Sequence, residues 1–117
     1  MIELRRSECS ILPLVLKRRW FDMIKVCSKH QEYRDYSDYW ARRLFNWDRK
    51  DGIPVVEFRL GYSSNAPRMA FWCFGLNTTG GMRCYAYDTC CTHPEWGEPR
   101  TPHFVIQLGG PVTLKGN

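Results

Sequence analysis

The sequence predicts a small α+β domain, a partly closed, mixed β-barrel flanked by two helices. Two observations carry this expectation. Residues 17–45 hold two stretches of helical period, and from Val55 onward the chain is a run of short alternating strands parted by turns. A helix-containing front and five or six meandering strands, without helices enough for a second domain, imply a barrel-like sheet. At 117 residues the chain is expected to be one domain, residues 1–117, with its core over about 8–110.

The first strand is expected from Glu8 to Leu16. Pro13 interrupts it and cannot donate to a ladder, which places this strand at an edge or bulge. From Lys17 the period changes. Trp20, Phe21, Ile24 and Cys27 fall on one face of an amphipathic helix, with Lys17, Arg18, Arg19, Asp22 and Lys25 opposite. That helix is expected to end near Cys27-Ser28. Gln31 to Arg34 reads as a short strand, on which Glu32 and Arg34 share a face and Tyr33 points the other way. Asp35 to Ser37 is a turn or helix cap. A second helix over about Asp38–Phe45 would bury Tyr36, Trp40 and Leu44 and project Arg42 and Arg43, and Asn46 to Gly52 is a polar connection.

In the second half, Val56, Phe58, Leu60 and Tyr62 alternate with Val55, Glu57 and Arg59, the pattern of a half-buried strand. Gly61 to Pro67 is a hairpin-like loop. Met69 to Leu76 is almost continuously apolar and is expected to be buried on both faces. Thr78 to Gly81 makes a turn, and Met82 to Tyr87 alternates as a further strand. Asp88 to Pro102 is a long loop. Phe104, Ile106 and Leu108 form a strong strand closed by Gly109-Gly110-Pro111, and Val112 to Leu114 could add a short edge strand.

The formal charge of +5 is uneven: residues 1–50 hold 12 Lys/Arg against 7 Asp/Glu, and the remainder is balanced. Such a localised excess either attracts polyanions such as RNA or is a solvated helix face. No apolar run approaches the length of a membrane span, and Ile11–Leu16 is too short for a secretory signal, so a cytoplasmic location is expected, without membrane association. The six cysteines would there be free thiols.

Cys84, Cys90, Cys91 and His93 cluster within ten residues, near His103. The one close cysteine pair is adjacent rather than two to four residues apart, so the cluster reads as small core residues and no metal is expected. No cysteine stands in a nucleophile context, and no phosphate-binding glycine loop is present, so no cofactor is expected. The remaining candidates are Lys29, Glu32 and Arg34, at a helix-to-strand junction. As exposed ion pairs they would contribute little. Converging on one ligand, Lys29 and Arg34 would bind a phosphate or polarise a carbonyl. Glu32 would accept hydrogen bonds from a base edge or act as a general base.

The pattern Cys27-x-Lys29-x-x-Glu32-x-Arg34 resembles the Gly-x-Lys-x-x-Glu-x-Arg signature of the ASCH domain family, relatives of the PUA RNA-binding domains. Ile11–Leu14, Trp20–Ile24, Tyr39–Leu44, Val56–Tyr62, Trp96-Gly97 and Phe104–Gly109 resemble other parts of that family, so the likeness spans most of residues 10–110. It implies a PUA-like β-barrel with a cleft lined by the signature, and RNA or a nucleotide as partner. Some members resemble hydrolases of N4-acetylcytidine, in which the Lys at the Lys29 position helps activate a Thr at the Glu32 position, and others show ribonuclease activity. This chain has Glu32 where that Thr would stand and Cys27 where the signature has Gly.

The expected function is therefore RNA or nucleotide binding through Lys29, Glu32 and Arg34, with Tyr62 or Trp96 stacking on a base. The alternative is a hydrolase of a modified nucleoside or of RNA, with Glu32 as base and Lys29 as stabiliser. A third reading, a protein-interaction module, would use exposed aromatics and the Asp88–Pro102 loop.

Overall fold

The computed structural model describes residues 2–79 and 92–116. The described elements are β1 (Ile2–Arg5), a 3-10 turn at Arg6–Glu8, β2 (Cys9–Leu16), α1 (Arg18–Lys25), β3 (Gln31–Asp35), α2 (Asp38–Arg49), β4 (Ile53–Leu60), β5 (Arg68–Thr79), a 3-10 turn at Pro94–Trp96, and β6 (His103–Lys115). The expected strand over Met82–Tyr87 lies outside the described residues, as do Cys84, Cys90 and Cys91.

The strands form one mixed sheet in the order β1-β6-β5-β4-β2, and β3 branches off β6. β1 runs parallel to β6 and β2 parallel to β4, whereas β4–β5, β5–β6 and β3–β6 are antiparallel. The 13-residue β6 makes the branch possible: its first half pairs with β3 and β5, its second half with β1 and β5. The α+β class is as expected, but the sheet is not closed into a barrel. Among the described residues no ladder joins β2 to β3. Pro13 is tolerated because β2 pairs only with β4 and its other edge carries no strand.

Both helices pack on one face of this sheet. Phe21 and Ile24 of α1 and Leu44 and Trp47 of α2 join Leu12, Leu14, Leu16, Phe58, Phe71, Phe104 and Ile106 in the main core. Fully burying each large apolar side chain contributes roughly 1.5–3 kcal/mol. Val55, Ala70 and Val112 pack on the opposite face, under Leu4, Ile11, Trp72 and Leu114.

Several expectations fail for tertiary reasons. β4, not β5, is buried on both faces, because it lies between β2 and β5 and has core on either side. β5 carries register shifts at Phe71/Cys73 and Cys73/Gly75, and Phe74 is exposed. The β4 strand ends at Leu60, so Tyr62 lies beyond it. β6 runs through the glycines to Lys115, and Val112–Leu114 sits between β1 and β5 rather than at an edge. α2 continues to Arg49, where a polar connection was expected. Its second half is held by Trp47, whose Nε1 donates to the Ser10 carbonyl at 2.9 Å while Ser10 Oγ donates to the Trp47 carbonyl at 2.8 Å. Ser37 caps the helix, accepting from the Trp40 amide at 3.3 Å, whereas Tyr36 is exposed rather than buried.

The end of α1 explains how a cysteine replaces a glycine. Cys27 adopts φ 62°, and its amide donates to the Ile24 carbonyl while that of Ser28 donates to the Met23 carbonyl. This is a Schellman closure with a non-glycine at its left-handed position. Cys27 is therefore exposed and does not extend the apolar face of α1. The Met23 carbonyl also accepts from the Lys29 amide at 3.1 Å and from Ser28 Oγ at 3.1 Å, so the closure fixes where Lys29 begins.

The 3-10 turn before β2 brings Arg6 onto Glu57 in a two-pronged ion pair at 2.8 and 3.1 Å. The hydrogen bonds from Arg6 hold the Glu57 carboxyl below its ordinary range, outweighing burial. Its stabilising contribution is thus present above about pH 4.5, the unfolded value, and is lost as pH falls through the depressed folded value. Urea midpoints measured against pH are expected to fall less steeply below pH 4.5 in Glu57→Gln than in the wild type. For the α1 closure, Cys27→Gly is expected to be neutral or slightly stabilising. Cys27→Val, β-branched at a left-handed position, should cost about 1–2 kcal/mol in the same urea assay.

Candidate functional site

Lys29 leaves the α1 closure pointing inward, and β3 begins two residues later. On that strand Glu32 and Arg34 share a face, as alternation demands, while Tyr33 packs on the other side with Trp96 and Val105. Lys29 is 2% exposed and Glu32 is 5% exposed. Lys29 Nζ donates to Glu32 Oε1 at 3.1 Å, and Arg34 Nη2 donates to Glu32 Oε2 at 2.9 Å. Each carboxylate oxygen therefore faces its own cation. The three residues singled out in the sequence meet in one cluster, and it is a buried cluster rather than a surface one.

Aromatic rings complete the setting. Lys29 Nζ lies 4.4 Å from the centre of the Trp20 ring and 5.3 Å from that of Tyr33. The Trp40 ring has Arg34 Cζ at 4.9 Å and Arg43 Cζ at 5.1 Å. Desolvated cation–π contacts of this kind contribute on the order of 1–2 kcal/mol. Burial pushes the Lys29 ammonium below its ordinary range, and Glu32 opposes only part of that shift. Arg34 Nε is buried with no hydrogen-bond partner, so this guanidinium retains an unused donor.

Lys29, Glu32 and Arg34 line an open concavity of about 270 Å³, together with Trp20, Trp96 and Val15. It opens between β2 and β3, where the sheet fails to close. Arg34 Nη2 reaches the Val15 carbonyl across this gap at 3.5 Å. The other sequence candidates fall differently. Trp96 shares the concavity but is 8% exposed, with His93 stacked on it at 3.8 Å, so it forms a wall rather than a free stacking platform. Tyr62 is 86% exposed and lines a separate concavity that also contains Arg34.

Behind the wall lies a pair that spacing alone did not bring together. Glu98 Oε1 accepts from the amides of Thr92 and His93, each at 2.7 Å, and from Thr92 Oγ1 at 3.1 Å. Its other oxygen lies 3.1 Å from Nε2 of the fully buried His103, whose Nδ1 lies 2.7 Å from the Thr101 carbonyl. Burial alone would raise the Glu98 pKa, but these bonds outweigh it and leave it lowered. The network anchors the turn that carries Trp96 and Gly97. Gly97 has φ 81°, and a Cβ there would come within 2.7 Å of the Trp20 ring, so glycine lets that turn close onto α1. His93 and His103, considered as metal ligands in the sequence, are engaged instead with Trp96 and with Glu98. Among the described residues no cluster of metal-ligating side chains occurs.

No protein-family model, no curated protein and no solved structure matches this chain. The site therefore has to be read from its own chemistry. A buried carboxylate between two cations is first a positioning device. It holds an ammonium and a guanidinium at the rim of one hollow, where they can meet an anion or a polar ring edge.

Removing Glu32 leaves the buried Lys29 uncompensated. Glu32→Leu is expected to cost about 3–5 kcal/mol in urea unfolding. Adding Lys29→Met should restore a large part of that loss, because the double variant buries no unpaired charge there.

Proposed function

We propose that this chain binds RNA or a nucleotide through the Lys29–Glu32–Arg34 concavity, in the manner expected of an ASCH-like domain. The observation that carries the reading is the pairing of one buried carboxylate with two cations from different elements. That arrangement holds Lys29 and Arg34 together at the wall of an open hollow beside Trp20. Nucleotides offer phosphate or base oxygens to such cations and a flat ring to the aromatic wall. The local charge excess of residues 1–50 supports the same partner class, since it raises the concentration of polyanions near the site.

Both Glu32 oxygens already accept hydrogen bonds from cations, which favours a positioning role over proton abstraction. One observation favours the hydrolase alternative: the buried Lys29 has a lowered pKa, a property found in catalytic amines. Glu32→Gln separates the two. Intact affinity with lost turnover of RNA or of an acylated cytidine supports hydrolysis, and parallel loss of affinity supports binding.

In fluorescence anisotropy with a labelled single-stranded RNA at low salt, the Lys29→Ala, Arg34→Gln double variant is expected to bind at least tenfold more weakly. Its melting temperature, measured in parallel, guards against loss of fold. Unchanged affinity for RNA, DNA and mononucleotides in a folded double variant would refute the proposal.

A further inference from the structure

A second hollow adjoins the first. It encloses about 420 Å³, and Arg34 and Val15 line both. Three guanidinium groups border it, those of Arg34, Arg43 and Arg59, with three aromatic rings, Tyr39, Trp40 and Tyr62. No carboxylate lines it. Tyr39 and Tyr62 are exposed, in contrast to the buried rings around Lys29.

The arginines are held in place without being neutralised. Arg43 donates to the Pro13 carbonyl at 2.6 Å and to Tyr39 Oη at 3.3 Å. Arg59 donates to the Ser63 carbonyl at 2.8 Å. These bonds use neutral oxygens and leave the positive charge unpaired. Among the described residues neither Arg43 nor Arg59 forms a salt bridge. Glu57 feels the charge of Arg59 through space but is bonded to Arg6. Arg34 Nε and Arg59 Nε are both buried without a hydrogen-bond partner. Unsatisfied buried donors on two cations of one hollow are costly unless a ligand meets them.

We infer that this second hollow is a phosphate-and-base subsite, and that the ligand is a single-stranded oligonucleotide laid across Arg34 rather than a free nucleoside. The inference rests on the proposed nucleotide site at Lys29, Glu32 and Arg34. One phosphate does not require cations in two hollows, whereas successive nucleotides supply anions and flat rings in alternation. Arg34 then meets the phosphate that links the nucleotide in the first hollow to the next. Arg43 and Arg59 take the following phosphate, and the exposed Tyr62 stacks on its base. The open shape of both hollows suits a strand that enters and leaves.

The test measures binding of labelled six-nucleotide RNA and DNA strands by anisotropy across a salt series, with a mononucleotide and polyglutamate as competitors. The Arg43→Gln, Arg59→Gln double variant is expected to bind at least tenfold more weakly, and its log-affinity against log-salt slope should fall by about 1.4, roughly 0.7 for each lost phosphate contact. Tyr62→Ala should weaken binding roughly tenfold, with Tyr62→Trp restoring it. Neutralising two exposed cations on α1, by Arg18→Gln and Lys25→Gln, should leave the affinity within about twofold if contact rather than general charge decides. Stronger binding of either strand than of the mononucleotide supports the proposal, and the RNA and DNA arms tell which sugar is accepted.

Wild-type affinity and slope in the Arg43→Gln, Arg59→Gln variant would overturn it, even if Lys29→Ala, Arg34→Gln abolishes binding; the first site would then stand alone. The reverse pattern, loss only with the Arg43 and Arg59 changes, would sink the Lys29 reading and leave a phosphate site here. Equal competition by polyglutamate would show a site for anions in general and would also overturn it. Tyr62 is exposed on a loop, so its variants stay informative about binding without threatening the fold.

Discussion

The carboxylate of Glu32 is the group on which the site depends. It is buried, and it is tolerable there only because Lys29 and Arg34 meet its two oxygens. Each cation in turn comes from a position fixed elsewhere. Lys29 starts where the α1 closure ends, pinned by the Met23 carbonyl, and Arg34 is placed by the pairing of β3 with β6. The ion cluster thereby ties a helix end, a short strand and the long β6 strand into one arrangement. A lapse in any of the three would leave an uncompensated charge inside the protein.

The open sheet and the candidate site are two aspects of one feature. β2 has a free edge, and no strand hydrogen-bonds to it on that side. Two of its carbonyls are met instead by arginines: Val15 by Arg34 and Pro13 by Arg43. Side chains thus occupy the seam that a closed barrel would fill with a ladder. Because guanidinium groups carry more donors than these carbonyls use, the seam keeps positive charge and donors to spare. That is the physical basis for placing a polyanion there.

Much of the local structure was legible in the residues. The change of period at Lys17, the alternation of Glu32-Tyr33-Arg34 and the edge placement implied by Pro13 all survive in the fold. What failed were judgements about neighbours. Val55 and Glu57 lie on the supposedly solvent side of β4, yet both are buried, one under β1-side apolar residues and one against Arg6. Trp47 extends α2 through a stretch of polar residues because a partner, Ser10, waits 37 positions earlier. Glu98 and His103 carried no motif, and only the folded turn places them in contact. Three-residue motifs such as Lys29-x-x-Glu32-x-Arg34 are visible because their members are near in sequence, whereas Arg34, Arg43, Arg59 and Tyr62 are not.

The sequence by itself determined the α+β class, the helix-to-strand junction and the identity of the charged triplet, since each rests on periodicity and contacts within a few residues. It also required that Cys27 bear a strained turn if a signature glycine was absent, though not which residue would take the left-handed angle. The tertiary structure decided that the sheet stays open, that the triplet is buried and mutually paired, and that Tyr62 belongs to a second hollow. Those outcomes depend on which strand edges meet and how long side chains cross the gap between them. Such distances are set by the packing of residues far apart in the chain, and local pattern carries no record of them.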